Sequence, residues 1–433
     1  MKSRLMLWAA AGALVVLDRG SAVQPPKAAV FQGRSVINAG TIKIFENNGG
    51  LDPPDPRGMG RGLDSDPALL ILEPAILDSP DFLSANGGNA AGRYSFAQLV
   101  TSQSPNRNRK SPLAAWLNFM RRRLTPQQGD ALERLWSARG RSEAAFPLRA
   151  LAVVNRIDLF KPEANSCGEL RFVYGAFGSG ARGVEVALDF FVIAEFPIAC
   201  RDWTELKGWA NGWLSLRTPG ALPGQLGPFL DATLQRKSGW RVRTNQLANT
   251  GGWEFREFSG PEMAPANLAL TPAASTLCSR DLAAQVLKLG SAGDPDSVFD
   301  QAVYQPQTQV LQYQLTNVWL KPLFGHGTDA RYHFAIRTCV GCHSLETRNP
   351  LGAERFTHIR NRLAGTKSLL SGFLTGGEYT LSPPPSGCAI PAGAREPARV
   401  FADLLRRQQV LVSLAAARSA ADIAGIPRLW DVH

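Results

Sequence analysis

The chain has 433 residues, 44% of them hydrophobic and 19% charged, with 10 Trp and 21 Phe. This apolar and aromatic content excludes an intrinsically disordered chain, and the length exceeds that of one small domain. The formal charge of +11 suits nucleic acid, an anionic membrane surface or an acidic protein as partner; no basic run with interleaved aromatics supports the first.

Lys2 and Arg4 precede a continuous apolar run from Leu5 to Leu17, followed by small residues at Gly20, Ser21 and Ala22. A positive start, a short apolar stretch and a small-residue cleavage site predict a signal peptide removed after Ala22. The run is too short to span a bilayer comfortably, and no later stretch is apolar for long enough. The expectation is therefore a soluble, exported chain, periplasmic or secreted, with no transmembrane segment once the leader is gone and no encounter with nucleic acid.

Residues 23–64 are rich in Pro and Gly and predict an extended lead-in with one short strand at Thr41–Phe45. Helical periodicity runs over Pro112–Leu124 and resumes after Thr125-Pro126 through Asp130–Arg139, with Trp116, Phe119, Met120 and Trp136 facing a core. The middle is β-rich. Leu151–Ile157, Glu169–Phe177 and Val184–Phe196 are dense in β-branched and aromatic residues, and Trp240–Leu247 with Trp253–Phe258 predicts a hairpin. Helices are expected at Trp203–Leu216, Leu226–Lys237, Arg280–Leu289 and Val298–Trp319, and an amphipathic one over Glu396–Ala417. Strands and helices without a regular βαβ repeat predict an α+β fold: an antiparallel sheet with flanking helices, then a mainly helical C-terminal region.

Charged and amide side chains sit beside these apolar strands: Asn155, Arg156, Asp158, Glu169 and Arg171, and in the hairpin Arg243, Asn245, Glu254, Arg256 and Glu257. They suit either a buried ion-pair network or part of a pocket, with cross-strand pairing the plainer role. No GxSxG, HExxH or phosphate-loop motif is present.

The chemistry-bearing motif is Cys339-Val-Gly-Cys342-His343. In an exported chain CxxCH is the attachment pattern of c-type haem: two thiols form thioethers to the vinyl groups and the adjacent imidazole takes the iron. One covalent haem c is the expected cofactor, with Cys339 and Cys342 anchoring it and His343 proximal. The usual distal Met is excluded, since no Met follows Met263. His358 is the best replacement, and His326, His333 and Met263 are weaker ones. Between residues 321 and 367 the basic groups Lys321, Arg331, Arg337, Arg348, Arg355, Arg360, Arg362 and Lys367 outnumber Asp329, Glu346 and Glu354. That excess suits haem propionates or an acidic redox partner, or a solvated basic face.

Two imidazole ligands favour electron transfer or redox sensing. An open sixth position would instead favour a peroxidase-like oxidoreductase, with Arg337 or Arg360 stabilising developing charge. Other chemistries for the same cysteines are a zinc clip with His358 and Cys388, a thioredoxin-like redox pair, and a plain disulfide in a non-haem binding or structural protein. The remaining Cys167, Cys200, Cys278 and Cys388 permit two disulfides, Cys167–Cys200 being the more local pairing, or buried free thiols. The chain thus divides into a signal peptide (1–22), an N-terminal Pro/Gly-rich region (23–110), an α+β domain (111–320) and a haem c-like region with its C-terminal helix (321–433).

Several blocks carry a resemblance. VVNRIDL (153–159), GELRFVYG (168–175), VRTNQ (242–246), WEFREF (253–258) and TCVGCH (338–343) are joined by Glu346-Thr347, FTHI (356–359) and LSGFLTG (370–376). Together they resemble a family of uncharacterised exported bacterial proteins with a single haem-c motif, over roughly residues 150–377. The resemblance implies an exported, haem-associated protein without an established activity. Likeness to ordinary cytochrome c covers only the CVGCH pentapeptide.

Overall fold

Runs dense in β-branched and aromatic residues, with a few charged ones interspersed, build three long strands over residues 148–199. The computed structural model describes residues 66–85, 90–103, 112–247, 249, 253–260, 263–266, 271–272, 304–305, 311–313, 357–375 and 402–426. The leader, the strand expected at Thr41–Phe45 and the helix expected at Arg280–Leu289 lie outside them.

In chain order the regular elements begin with β1 (Leu70–Ile71), α1 (Pro74–Leu77), α2 (Phe96–Thr101), α3 (Pro112–Arg121) and α4 (Pro126–Ala138). The strands β2 (Leu148–Arg156), β3 (Ser166–Ser179) and β4 (Glu185–Ala199) follow, then α5 (Trp203–Ser215) and α6 (Ala221–Gln235). The hairpin β5 (Arg241–Leu247) and β6 (Trp253–Ser259) is followed by β7 (Ala264–Ala266), β8 (Thr271–Pro272), β9 (Tyr304–Gln305) and β10 (Leu311–Tyr313). The chain closes on α7 (Gly372–Thr375), α8 (Asp403–Ala416) and α9 (Ala420–Ala424). The fold is α+β. Eight strands form one sheet in the order β1-β2-β3-β4-β5-β6-β10 with β7 also on β6, and every pairing is antiparallel.

The helix expected over Val298–Trp319 is not formed at its described positions, where β9 and β10 stand instead. Pro306 removes a helical donor just after β9, and Leu311-Gln312-Tyr313-Gln314-Leu315 alternates with period two, the strand signature.

One face of the sheet is aromatic. Phe172, Tyr174, Phe190, Phe196 and Phe258 are buried there. Tyr94 stacks on Phe172 at 5.9 Å between centroids, Phe96 meets Tyr174 edge-on at 5.7 Å, and Trp116 of α3 meets Phe258 at 5.8 Å. Such pairs add about 0.5–1.5 kcal/mol each beyond their area burial. Helix starts follow their sequence signals: Thr125 accepts from the Gln128 N–H ahead of Pro126, and Asp202 accepts from the Glu205 N–H. Beside the sheet, Trp209 and Trp213 of α5 pack around Phe229 of α6 at 5.7 and 5.1 Å. Lys207 of α5 donates to the Ala417 carbonyl just after α8 at 2.6 Å. One continuous core joins residues from Ala68 to Ile426.

Two irregularities in the long strands have a structural use. β2 is out of regular pairing between Ala150 and Ala152, and β3 between Gly175 and Phe177. A bulge leaves a residue outside the ladder, and its carbonyl needs another donor. Residues 357–375 supply the donors. Arg362 Nε donates to the Ala150 carbonyl at 3.0 Å, Ser368 Oγ to Leu151 at 3.0 Å, and Asn361 Nδ2 to Ala176 and Leu188 at 3.5 and 2.6 Å. Gly175 lets this strap approach, because a Cβ there would overlap the Asn361 side chain. Gly175→Ala should therefore lower stability by about 1–3 kcal/mol through overpacking. Urea unfolding against the parent chain measures it; an unchanged midpoint would contradict the close approach.

Candidate functional site

The second face of the sheet holds charge. Cross-strand register places Arg156 opposite Glu169, Arg171 opposite Glu195, Glu195 opposite Arg241, and Arg243 opposite Glu257. Register partners share a face, so guanidinium and carboxylate groups alternate across five strands. Arg171 bonds Glu169 at 2.6 Å and reaches Glu195 at 3.3 Å. Arg241 bridges Glu169 and Glu195, both at 2.5 Å, and Arg243 pairs with Glu257 at 2.7 Å.

At the β2 end the ladder turns into α8. Arg156 grips Asp158 with two parallel bonds, Nε to Oδ1 at 2.9 Å and Nη2 to Oδ2 at 2.8 Å. Arg407 lies 3.8 Å from Asp158 and 2.6 Å from Asp403, which also pairs with Arg406 at 2.9 Å. Of the two roles expected for the strand charges, the ion-pair network is the one formed. Asn155 closes a strand end by donating to the Ala68 carbonyl at 2.9 Å. On the aromatic face, Glu254 forms a separate cluster with Arg256 at 3.0 Å and Arg123 at 2.7 Å.

Pairing decides the ionisation of these groups. Burial alone would raise the Glu195 carboxyl, but Arg171, Arg243 and Arg241 outweigh it and hold the group at about 2. Asp403 is likewise held low: burial opposes ionisation, while Arg407, Arg406 and Arg156 favour it. Burial brings Arg171 down to about 10 in spite of Glu169 and Glu195, so it stays charged at neutral pH.

The expected haem ligand His358 lies on the strap. Residues 357–375 fold back on themselves as a small hairpin with a bridge between Ile359 and Leu370. The Arg360 N–H donates to the Leu369 carbonyl at 2.9 Å and the Ser371 N–H to the His358 carbonyl at 2.8 Å. His358 and Ser371 thus stand opposite each other, and Ser371 Oγ lies 2.8 Å from His358 Nδ1. The buried Phe373 ring flanks the imidazole, with centroids 5.0 Å apart.

The hairpin is fastened by Arg362, whose side chain is 0% exposed. It makes two bonds to Asp78, at 2.9 and 2.8 Å, and its own carbonyl accepts from Arg149 at 3.0 Å. Arg362 and Lys367, two of the basic groups expected around the motif, are committed to Asp78 and to Glu73 at 3.2 Å.

Cys339, Cys342 and His343 lie outside the described residues, as do His326, His333, Cys278 and Cys388. Cys167 and Cys200 form a disulfide across the start of β3 and the end of β4, with Cα atoms 5.3 Å apart. Among the described residues no group of three or more His, Cys, Asp or Glu is arranged to hold a metal ion, and no helix is long and apolar enough to cross a membrane. Ser371, Phe373 and Asn361 were missed as partners of the site. Ser371 and Phe373 fall within LSGFLTG, but their place beside His358 needs the hairpin, and Asn361 carries no sequence signal. No family model, curated protein or solved structure matches the chain.

The ladder predicts a signed pH dependence. Glu195 and Asp403 have folded values below their ordinary ones. The Glu195 contribution is fully present above the ordinary carboxylate range and is lost as pH falls through it towards about 2, and the Asp403 contribution is lost in the same direction. The urea midpoint should drop between pH 6 and about pH 3, with a shallower drop for Glu195→Gln. At neutral pH that substitution should cost about 3–5 kcal/mol by leaving buried guanidinium charge uncompensated. A flat midpoint across this window would contradict the pairing.

Proposed function

We propose that the chain is an exported, periplasmic or secreted protein carrying one covalent haem c and used for electron transfer or redox sensing. The observation that carries the reading is the Cys339-Val-Gly-Cys342-His343 sequence. Two structural features support it. The Cys167–Cys200 disulfide suits an oxidising compartment, where covalent haem attachment also takes place. His358 suits an axial ligand, because ligating imidazoles are oriented by a partner on the other ring nitrogen and Ser371 Oγ occupies that position.

In this reading Cys339 and Cys342 hold the haem, His343 is proximal and His358 distal. When bound, a haem iron with two imidazole ligands supplies a reversible one-electron step. The protein's own part is to fix the distal imidazole. The His358 ring is held between Ser371 and Phe373, on a hairpin fastened to the sheet by Arg362 and Asp78. An acidic protein is the fitting redox partner for a chain of formal charge +11.

Expression with export and haem-attachment machinery tests the reading. The mature protein should gain the mass of one haem and keep its colour after denaturation, and Cys339→Ser with Cys342→Ser should abolish both. Parent protein of unmodified mass from such a host would overturn the reading.

A further inference from the structure

We propose that the Cys167–Cys200 disulfide is a thiol–disulfide exchange site, opened at Cys200 by a dithiol and served by Arg236, whose guanidinium stabilises the thiolate that leaves. The inference stands apart from the haem reading and uses none of its residues. Arg236, just after α6, reaches both sulfurs through one nitrogen. Its Nη2 lies 3.7 Å from Cys167 Sγ and 3.8 Å from Cys200 Sγ, and it also donates to the Ala199 carbonyl at 3.0 Å. A disulfide sulfur is a weak acceptor whereas a thiolate is an anion, so this contact strengthens on reduction. A cation beside a cysteine favours its thiolate, the species that leaves and later attacks again. The charges nearby have their own partners. Glu205 of α5 comes within 3.6 Å of Arg236, but its carboxylate accepts from the Arg201 side chain at 2.6 Å and the Arg201 N–H at 2.8 Å. Asp202 accepts from the Glu205 N–H at 2.9 Å, and Lys237 donates to the Leu234 carbonyl at 3.2 Å.

The two sulfurs differ in access. Cys167 has no exposed surface, whereas Cys200 keeps 4% and is followed by the exposed Arg201. Attack therefore falls on Cys200, and Cys167 leaves beside Arg236. Backbone bonds hold the site without help from the S–S bond. The Cys200 N–H donates to the Asn165 carbonyl at 2.8 Å, the Ala199 N–H to Arg236 at 2.9 Å and the Ser238 N–H to Pro197 at 2.9 Å. With Cα atoms held 5.3 Å apart, the reduced cysteines stay within closing distance. The exchange runs in two displacements. A thiolate of the dithiol attacks Cys200 Sγ, the bond to Cys167 breaks, and its electron pair leaves with Cys167 as a thiolate. The dithiol's second thiolate then attacks the mixed disulfide, Cys200 leaves and takes up a proton, and the dithiol departs as a disulfide. Two electrons pass from the dithiol to the cysteine pair. Of the dithiol's two protons, one ends on Cys200 and the other in solvent.

The test equilibrates the folded full chain in dithiothreitol buffers of graded oxidised-to-reduced ratio and quenches with iodoacetamide. Peptide mass spectrometry reads Cys167 and Cys200, and far-ultraviolet circular dichroism reports the fold. The pair should reduce and reoxidise while the chain stays folded. Arg236→Gln should need a buffer more reducing by on the order of 10-fold for half reduction, with Arg236→Lys between it and the parent. Lys237→Gln removes a neighbouring positive charge and should match the parent. In Cys167→Ser the remaining Cys200 should form a mixed disulfide with oxidised glutathione, while Cys167 in Cys200→Ser should stay unmodified. A parent disulfide that yields only after unfolding in urea overturns the inference. So does a parental equilibrium in Arg236→Gln, an equal shift in Lys237→Gln, or glutathione on Cys167 in place of Cys200. Each of these leaves the haem reading standing. Should Arg236→Gln fail to fold, Arg236→Lys and the two cysteine variants decide on the same readouts.

Discussion

Burying a ladder of alternating charges on one sheet face is the constraint from which most of the fold follows. Glu195 has no exposed surface, and Arg171 has 5%. Neither charge is tolerable in that position without its partners. Because strand side chains alternate faces, a slip of one residue would drive this row into the aromatic core and bring Phe172, Phe196 and Phe258 out of it. Charge pairing on one side and aromatic packing on the other therefore specify the same register. A buried ladder of this kind fixes arrangement more than it adds stability, since desolvation offsets much of the Coulomb gain.

The same sheet prepares a place for the strap. Where β2 and β3 leave regular pairing, the carbonyls of Ala150, Leu151 and Ala176 bond Arg362, Ser368 and Asn361. Gly175 sits where β3 and β4 leave regular pairing, and its missing side chain is what Asn361 fills. The GELRFVYG block is thus tied to the segment carrying His358 by backbone geometry, nearly two hundred residues apart in sequence. The strap is held more firmly than a surface loop of its length, which suits a segment that presents a ligand.

Much of this was legible in the sequence. The β-branched runs in the middle marked β2, β3 and β4, and Thr125-Pro126 marked the start of α4, because each signal is local. Around β9 and β10 the expected helix fails, because Pro306 removes a helical donor and the sequence alternates from Leu311. The strand charges were visible, but choosing a network over a pocket needs register, which joins Arg171 to Glu195 and Glu195 to Arg241. Cys167–Cys200 was one pairing among several until β3 and β4 were set side by side. His358 stood out because Met is absent downstream, whereas Ser371 is an unremarkable serine until the hairpin brings it opposite.

The proposed haem reading draws on a paired sheet, a fastened strap and an imidazole whose Nδ1 meets Ser371 Oγ. The most direct measurement is the visible absorption spectrum of the mature protein, exported from a haem-attaching host, in oxidised and reduced forms. A six-coordinate low-spin spectrum in both states is the predicted result. A colourless protein, or a high-spin iron that readily takes exogenous ligands, would contradict the proposed ligation by His343 and His358.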